Sequence, residues 1–371
     1  MRRPNVFVIG NSGMVYRLSS LLYALGSDVF AGTVNYWQFC EGSKLRKLWS
    51  IPLDWFKLSI NLISCDILWI SSASHHSRHA KLAVLISRVL RKKTVIDFYI
   101  SHYETKVIDR KLYKKESKAA ERLLKCERQA LLSASRVVFL NEAERDYYCS
   151  IVGVDPISIN TAIIPLVNER KATFAELPFF NGSRDYPVFA WWGREVGNPI
   201  HGIESLLKYF CEIEGRLELV MCVTNEIDEH KIECMLRKLK CKSSKSRISI
   251  RHDLRMADGT LQDYICKNVD ISVASMGCTK KASVVVPNKL VDALSMGVPV
   301  LTIESVGVTE LIGNSWPILI RNNNLIEQVR KLKGSINDRA EINSICINLY
   351  ESVFSIDSFS NKVFRLIDEL K

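Results

Sequence analysis

No run in this 371-residue sequence reaches the roughly 18 uncharged apolar residues that a membrane span needs, so a transmembrane helix is not expected. A secretory signal is not expected either, because MRRPNVFVIG passes straight from basic residues into a strand-like VFVIG and a glycine turn. The 11 cysteines form no C-x-x-C pair and no Cys/His metal spacing. Cys65, Cys222 and Cys266 sit inside apolar runs, where cysteine acts as a small hydrophobe, which points to a reducing cytoplasm. Low-complexity tracts, short repeats and an Asp-x-Asp motif are absent, and so are zinc-finger, basic-zipper and aromatic-interleaved RNA-binding motifs. What remains is a globular composition, 47% apolar and 25% charged, long enough for two domains of ordinary size.

Charge is skewed to one sign. The net charge of +11 calls for an anionic partner. Basic residues cluster at Arg88, Arg91, Lys92 and Lys93, at Arg110, Lys111, Lys114, Lys115 and Lys118, and from Arg237 to Arg251. With no nucleic-acid motif, attraction of the first two clusters to an anionic membrane surface competes with a plain solvated face.

Strand-like runs alternate with helical patterns through both halves, the signature of parallel α/β sheets. The first half offers strands at Val6–Ile9, Ile67–Ile70, Thr94–Phe98 and Arg136–Leu140, and helices around Val15–Leu25, Ala80–Leu90 and Lys111–Leu132. The second offers strands at Val188–Trp192, Leu217–Val223, Ile248–Arg251, Ile271–Ala274, Val300–Ile303 and Ile318–Ile320. Residues 167–186 are polar, hold Pro178 and Gly182, and show no sustained period, as a linker would. The expected organisation is a first Rossmann-like domain over 1–166, a second over 187–354, and an amphipathic helix over 355–371 with Val363, Phe364, Ile367 and Leu370 on one side. Two doubly wound domains of this kind face each other across a cleft and bind ligands at the carboxyl ends of their strands.

The most informative stretch is VVVPNKLVDALSMGVPVLTIESVGVTEL, Val284–Leu311. Pro287 presets a helical start, Leu290, Val291 and Leu294 form an apolar stripe, Gly297 supplies a left-handed stop and Pro299 forbids continuation. The helix beginning at Asn288 would offer unpaired N–H groups to an anion, with Lys289 and Asp292 on one face; a crossover helix with no ligand fits the same pattern. Gly193-Arg194 follows an apolar strand, where arginine can fork onto a phosphate. Gly10-Asn11-Ser12-Gly13 follows another, but lacks the third glycine of a dinucleotide fingerprint, so no NAD is expected. His75-His76-Ser77-Arg78-His79 could place two histidines on one helical face; with no carboxylate or cysteine beside them, a loop or plain surface is expected and no metal site.

Three blocks resemble retaining nucleotide-sugar glycosyltransferases of family 4, with the GT-B fold: VIDFYISHYETKVIDRKL (95–112), FAWWGREVGNPIHGIESLL (189–207) and KASVVVPNKLVDALSMGVPVLT (281–302). The resemblance implies a sugar moved with retention from a nucleotide-diphosphate donor, held by the second domain, to a glycan or lipid-linked glycan held by the first, in surface polysaccharide synthesis. It implies a C-terminal helix crossing back to the first domain, no cofactor, and a cytoplasmic protein, peripheral on the inner face of the membrane. Arg194 matches the family's diphosphate-contacting arginine and Asp292 its ribose-holding acidic residue, while His201 stands where the family usually has lysine and Val284 where it has the first acid of a pair. Arg194, Lys289 and His102 are the expected catalytic residues. Gly10, Asn11, Ser12, Gly13, Asp97, Gly193, His201, Lys281, Pro287, Asn288 and Asp292 are expected to bind substrate. A GT-B-like sugar-nucleotide epimerase and a non-catalytic nucleotide-sugar-binding partner are the alternatives.

Overall fold

The computed structural model describes residues 4–10, 15–30, 33–38, 56, 58–71, 74–239, 246–313, 317–320, 324–335 and 339–371. These form two compact units, Met1–Val167 with Ile356–Lys371, and Asn168–Ser355.

The first unit carries a six-stranded parallel sheet in the order β2-β1-β3-β4-β5-β6. Its strands are β1 (Asn5–Gly10), β2 (Thr33–Gln38), β3 (Ile67–Ile70), β4 (Lys93–Asp97), β5 (Arg136–Phe139) and β6 (Thr161–Ile163). The helices are α1 (Val15–Gly26), α2 (Arg78–Val89), α3 (Lys118–Ser133), α4 (Glu142–Val152) and a last helix at Ile356–Leu370. Alternation along β1 divides the core: Phe7 and Ile9 join Ala83, Leu131 and Tyr148 on one face. Val6 and Val8 join Leu18, Leu21, Val363 and Ile367 on the other. The last helix thus completes the second of these cores, burying Phe359, Val363, Leu366, Ile367 and Leu370 at helical spacing.

The expected helix over Lys111–Leu132 begins only at Lys118, where the Ser117 hydroxyl accepts the Ala120 N–H at 3.2 Å. Lys111 has a left-handed backbone, φ 50°, and a wide π turn, Glu104–Asp109, precedes it. Strands β2 and β6 escaped the sequence reading. Both lie at sheet edges, where a half-solvated strand keeps polar residues such as Thr33 and Thr161 and forms no apolar run.

The second unit has the order β12-β11-β10-β7-β8-β9, again all parallel. Its strands are β7 (Val188–Gly193), β8 (Leu217–Val223), β9 (Ser246–Arg251), β10 (Ile271–Val273), β11 (Val300–Thr302) and β12 (Ile318–Ile320). Its helices are α5 (Ile203–Glu212), α6 (Glu226–Leu239), α7 (Thr260–Asn268), α8 (Asn288–Ser295), α9 (Val306–Ile312), α10 (Leu325–Ser335) and α11 (Arg339–Val353), so that Ile356–Leu370 is α12. The stretch 167–186 belongs to this unit from Asn168 onward and buries Ala175, Leu177, Phe179 and Phe180. The Asp270 carboxylate, at the start of β10, fastens it by accepting the Phe179 N–H at 2.7 Å, the Val188 N–H at 2.9 Å and the Arg184 guanidinium at 2.6 Å. Polar composition marked this segment as a linker, whereas its scattered apolar residues pack without a regular period.

Eight of the described cysteines are free thiols, most of them buried. Cys211 is disulfide-bonded. No described helix is long and apolar enough to cross a membrane.

Candidate functional site

In the second sheet β7 lies between β8 and β10, so the chain leaves it in one direction and returns on the other side. The loops after β7 and β10 therefore diverge at a topological switch point, where the carboxyl ends of open α/β sheets leave room for a ligand. Gly193-Arg194 closes β7, and residues 274–287 lead from β10 into α8.

Lys289, in the first turn of α8, reaches back to the tip of β7. Its ammonium lies 4.8 Å from the Trp191 ring centroid and 3.1 Å from where a Cβ on Gly193 would stand. Glycine at the strand tip is what leaves the amine its place. Burial pushes the Lys289 ammonium down to about 8, with Asp292 acting the other way. Arg194 is exposed and pairs with no described side chain. The turn that presents it is stiff: Glu195 has φ 56°, and the buried Asp228 carboxylate accepts the Glu195 and Val196 N–H groups at 3.0 and 3.3 Å.

The following loop rests on the β10 loop. A Cβ on Gly202 would lie 2.3 Å from the Met276 backbone, and one on Gly277 would lie 2.4 Å from the Pro199 carbonyl, so both positions exclude a side chain. Met276 N–H donates to the His201 carbonyl at 3.1 Å and the Ser275 hydroxyl to the Ile200 carbonyl at 2.6 Å. This places the His201 ring edge-on to Trp191, 5.6 Å between centroids. Lys281 begins a turn whose carbonyl accepts the Val284 and Val285 N–H groups at 3.1 Å. Pro287 precedes α8 with no side-chain cap, and Asn288, its first residue, is exposed.

Asp292 is already engaged. Its carboxylate accepts the Asn168 amide at 2.8 Å and pairs with Arg170 at 3.0 Å. Val284, where the resemblance has the first acid, is buried. Asn168, Arg170 and Asp228 were not singled out from the sequence; they act through segments distant along the chain, and no local spacing announces them.

In the first unit Gly10 packs so closely at the end of β1 that a Cβ would lie 2.6 Å from the Ser71 hydroxyl. Asn11, Ser12 and Gly13 lie outside the described residues. Asp97, expected to face a ligand, is instead buried and paired with Arg17 at 2.6 Å; Arg17 also donates to the Ile164 and Pro165 carbonyls. It therefore ties β4 to α1 and to the end of β6, a structural task that a lone Asp at a strand end does not reveal. His102 stands just beyond β4, half-buried, and burial followed by the charges of His76 and His75 presses its imidazole down to about 3. It is a neutral ring.

Beside it the histidine run is not plain surface. His75 is buried, its ring 4.2 Å from that of His76 and 6.0 Å from that of His102. The fold also supplies the carboxylate that the local sequence lacks. Glu127, on α3 and fully buried, lies 3.1 Å from His76 Nε2 and 4.0 Å from His75 Nε2. Its oxygens also accept the His102 N–H at 2.5 Å, the Tyr103 N–H at 3.1 Å and the Ser101 hydroxyl at 2.7 Å.

No family model matches the chain, and no curated protein matches it in sequence. Among solved structures it is similar to HepE of Anabaena in complex with UDP, at 12% identity and a TM-score of 0.62 over 99% of this chain and 100% of that one. It is similar to a sucrose-phosphate synthase from Thermosynechococcus elongatus, at 14% identity and a TM-score of 0.60 over 100% and 99%. It is also similar to the lipopolysaccharide outer core galactosyltransferase WaaB, at 14% identity and a TM-score of 0.60 over 98% and 99%. The fold is that of GT-B glycosyltransferases.

Proposed function

We propose that the chain is a glycosyltransferase whose second unit holds a nucleotide-diphosphate sugar and whose first unit receives a glycan or lipid-linked glycan acceptor. The observation that carries this reading is the cation pair at the switch point, Lys289 beside Gly193 and the exposed Arg194, at the uncapped start of α8. A diphosphate placed there meets two positive charges and the N–H groups of a first helical turn. Departure of the nucleoside diphosphate needs stabilisation of the charge growing on its oxygens, which preorganised cations and dipoles supply. We take the transfer to proceed with retention, the leaving diphosphate accepting the acceptor proton.

HepE was solved with UDP and glucose, which favours a UDP-sugar donor here. Exposed Lys111, Lys114, Lys115 and Lys118 flank exposed Leu112 and Tyr113, a composition suited to docking on anionic lipid that presents the acceptor. A non-catalytic nucleotide-sugar-binding role gains one observation of its own, since Val284 is buried where the resemblance has an acid and Asp292 is held by Arg170. Calorimetry with UDP, GDP and their sugars, followed by product analysis on extracted glycans and glycolipids, tests the proposal. Transfer of sugar is expected, hydrolysis or isomerisation of the donor would point to another enzyme, and binding without turnover would leave the non-catalytic role.

A further inference from the structure

Three imidazoles and one carboxylate converge in the first unit on elements that the donor chemistry does not use. His75 and His76 close the loop after β3, His102 follows β4, and Glu127 lies on α3. One ligand atom from each of His75, His76 and Glu127 lies within 4.8 Å of the other two. Zinc bonds of about 2.0–2.2 Å put tetrahedral ligands roughly 3.3–3.6 Å apart. The His76 to Glu127 separation of 3.1 Å lies just short of that range and the 4.0 Å from His75 just beyond it, so small side-chain shifts bring both into it.

A second observation points the same way. Among the described residues, neither ring nitrogen of His75, a residue only 3% exposed, has a hydrogen-bond partner, and neither has the buried Nε2 of His102. Buried polar atoms are nearly always paired, because a dry, unpaired donor or acceptor gives up its hydration for nothing in return. Two neighbouring residues with such atoms, beside the buried Glu127 carboxylate, are accounted for by a cation that takes nitrogen ligands.

We propose that His75, His76 and Glu127, completed by His102, bind one divalent transition-metal ion of the zinc class. Nitrogen donors in the majority disfavour magnesium and calcium, which take oxygen. The ion would tie the β3 loop, the turn after β4 and α3 together, and so act on the shape of the first unit and not on the diphosphate. Its fate is independent of the donor site proposed above.

The test uses the full chain, stripped with dipicolinate and titrated with ZnCl2 or CoCl2. One equivalent of zinc by elemental analysis is expected, together with an intense visible cobalt spectrum of tetrahedral type. His75→Gln should retain less than a tenth of an equivalent, and His102→Gln should bind at least tenfold more weakly. The exposed pair His230→Gln/His252→Gln should bind as the parent does. Should His75→Gln fail to fold, X-ray absorption of the zinc-loaded parent decides, since it must show a shell with several imidazoles. Less than a tenth of an equivalent in the parent, a six-coordinate cobalt spectrum, a shell without imidazoles, or loss confined to the His230/His252 variant would overturn the proposal.

Discussion

Lys289 and Arg194 reach the same strand tip by different routes and should respond differently to substitution. Arg194 is exposed and holds nothing in place, so Arg194→Ala should leave the melting temperature unchanged. It should nonetheless lower kcat/KM roughly 30- to 900-fold, equivalent to about 2–4 kcal/mol of transition-state stabilisation, which steady-state kinetics with the identified donor will read. Lys289 is tuned by its surroundings. Its folded pKa is about 8, below the ordinary 10.5, so the amine is charged only below that range. Nucleotide affinity should fall as pH rises through about 8, measured by calorimetry from pH 6.5 to 9.5. Lys289→Arg should flatten this profile, since arginine stays charged. The sign for folding is the opposite: between about 8 and 10.5 the unfolded chain holds a proton that the folded chain has lost, so this residue makes the free protein more stable as pH rises. A profile that keeps its slope in Lys289→Arg would remove Lys289 from the diphosphate site. Asp292 is a poorer probe, because its bonds to Asn168 and Arg170 mean that any change there disturbs packing as well as binding.

At the scale of elements, the loops after β7 and β10 stand or fall together. Gly202 has φ 59° and no room for a methyl group, so Gly202→Ala must push the Met276 backbone away. Strain of this kind costs on the order of 1–3 kcal/mol. The variant should bind nucleotide weakly while its circular dichroism stays native; unchanged affinity would mean that the two loops do not shape the site. Asp270 anchors the entry to β7, and Asp270→Ala would strand Arg184 and two buried N–H groups. A loss of about 3–5 kcal/mol is expected by urea denaturation. The same scale explains what the sequence could show. The apolar runs of β7 and β11 are buried on both faces and are legible at once, whereas edge strands β2 and β6 carry Thr33 and Thr161 and form no such run. The turn residues Gly193, Pro287 and Gly297 carry their geometry locally, so α8 and its start were readable. Glu127 was not, because it stands 51 residues from His76 and only the parallel crossover brings them together. Asp97 misled for the same reason, its partner Arg17 lying 80 residues away.

For the whole molecule, the net charge of +11 has a local expression in the exposed segment from Arg110 to Lys118. Each basic residue near an anionic surface contributes about 1 kcal/mol, and screening weakens this within a Debye length of about 8–10 Å. Sedimentation with vesicles should show binding to anionic lipid that high salt reverses, and glutamate in place of Lys111, Lys114 and Lys115 should abolish it. Equal indifference to anionic and neutral vesicles would leave the segment a solvated face.

The first unit is assembled from both ends of the chain, with the second inserted before α12. On the ribosome this sets an order of events. Residues 168–355 emerge complete while Val6, Val8, Leu18 and Leu21 still await Val363, Leu366 and Ile367, so the later unit can mature before the earlier one. Until residues 356–371 emerge, the nascent protein carries an unsealed apolar face that a holding chaperone would recognise, and a stall or nonsense codon ahead of or within that helix would leave it that way.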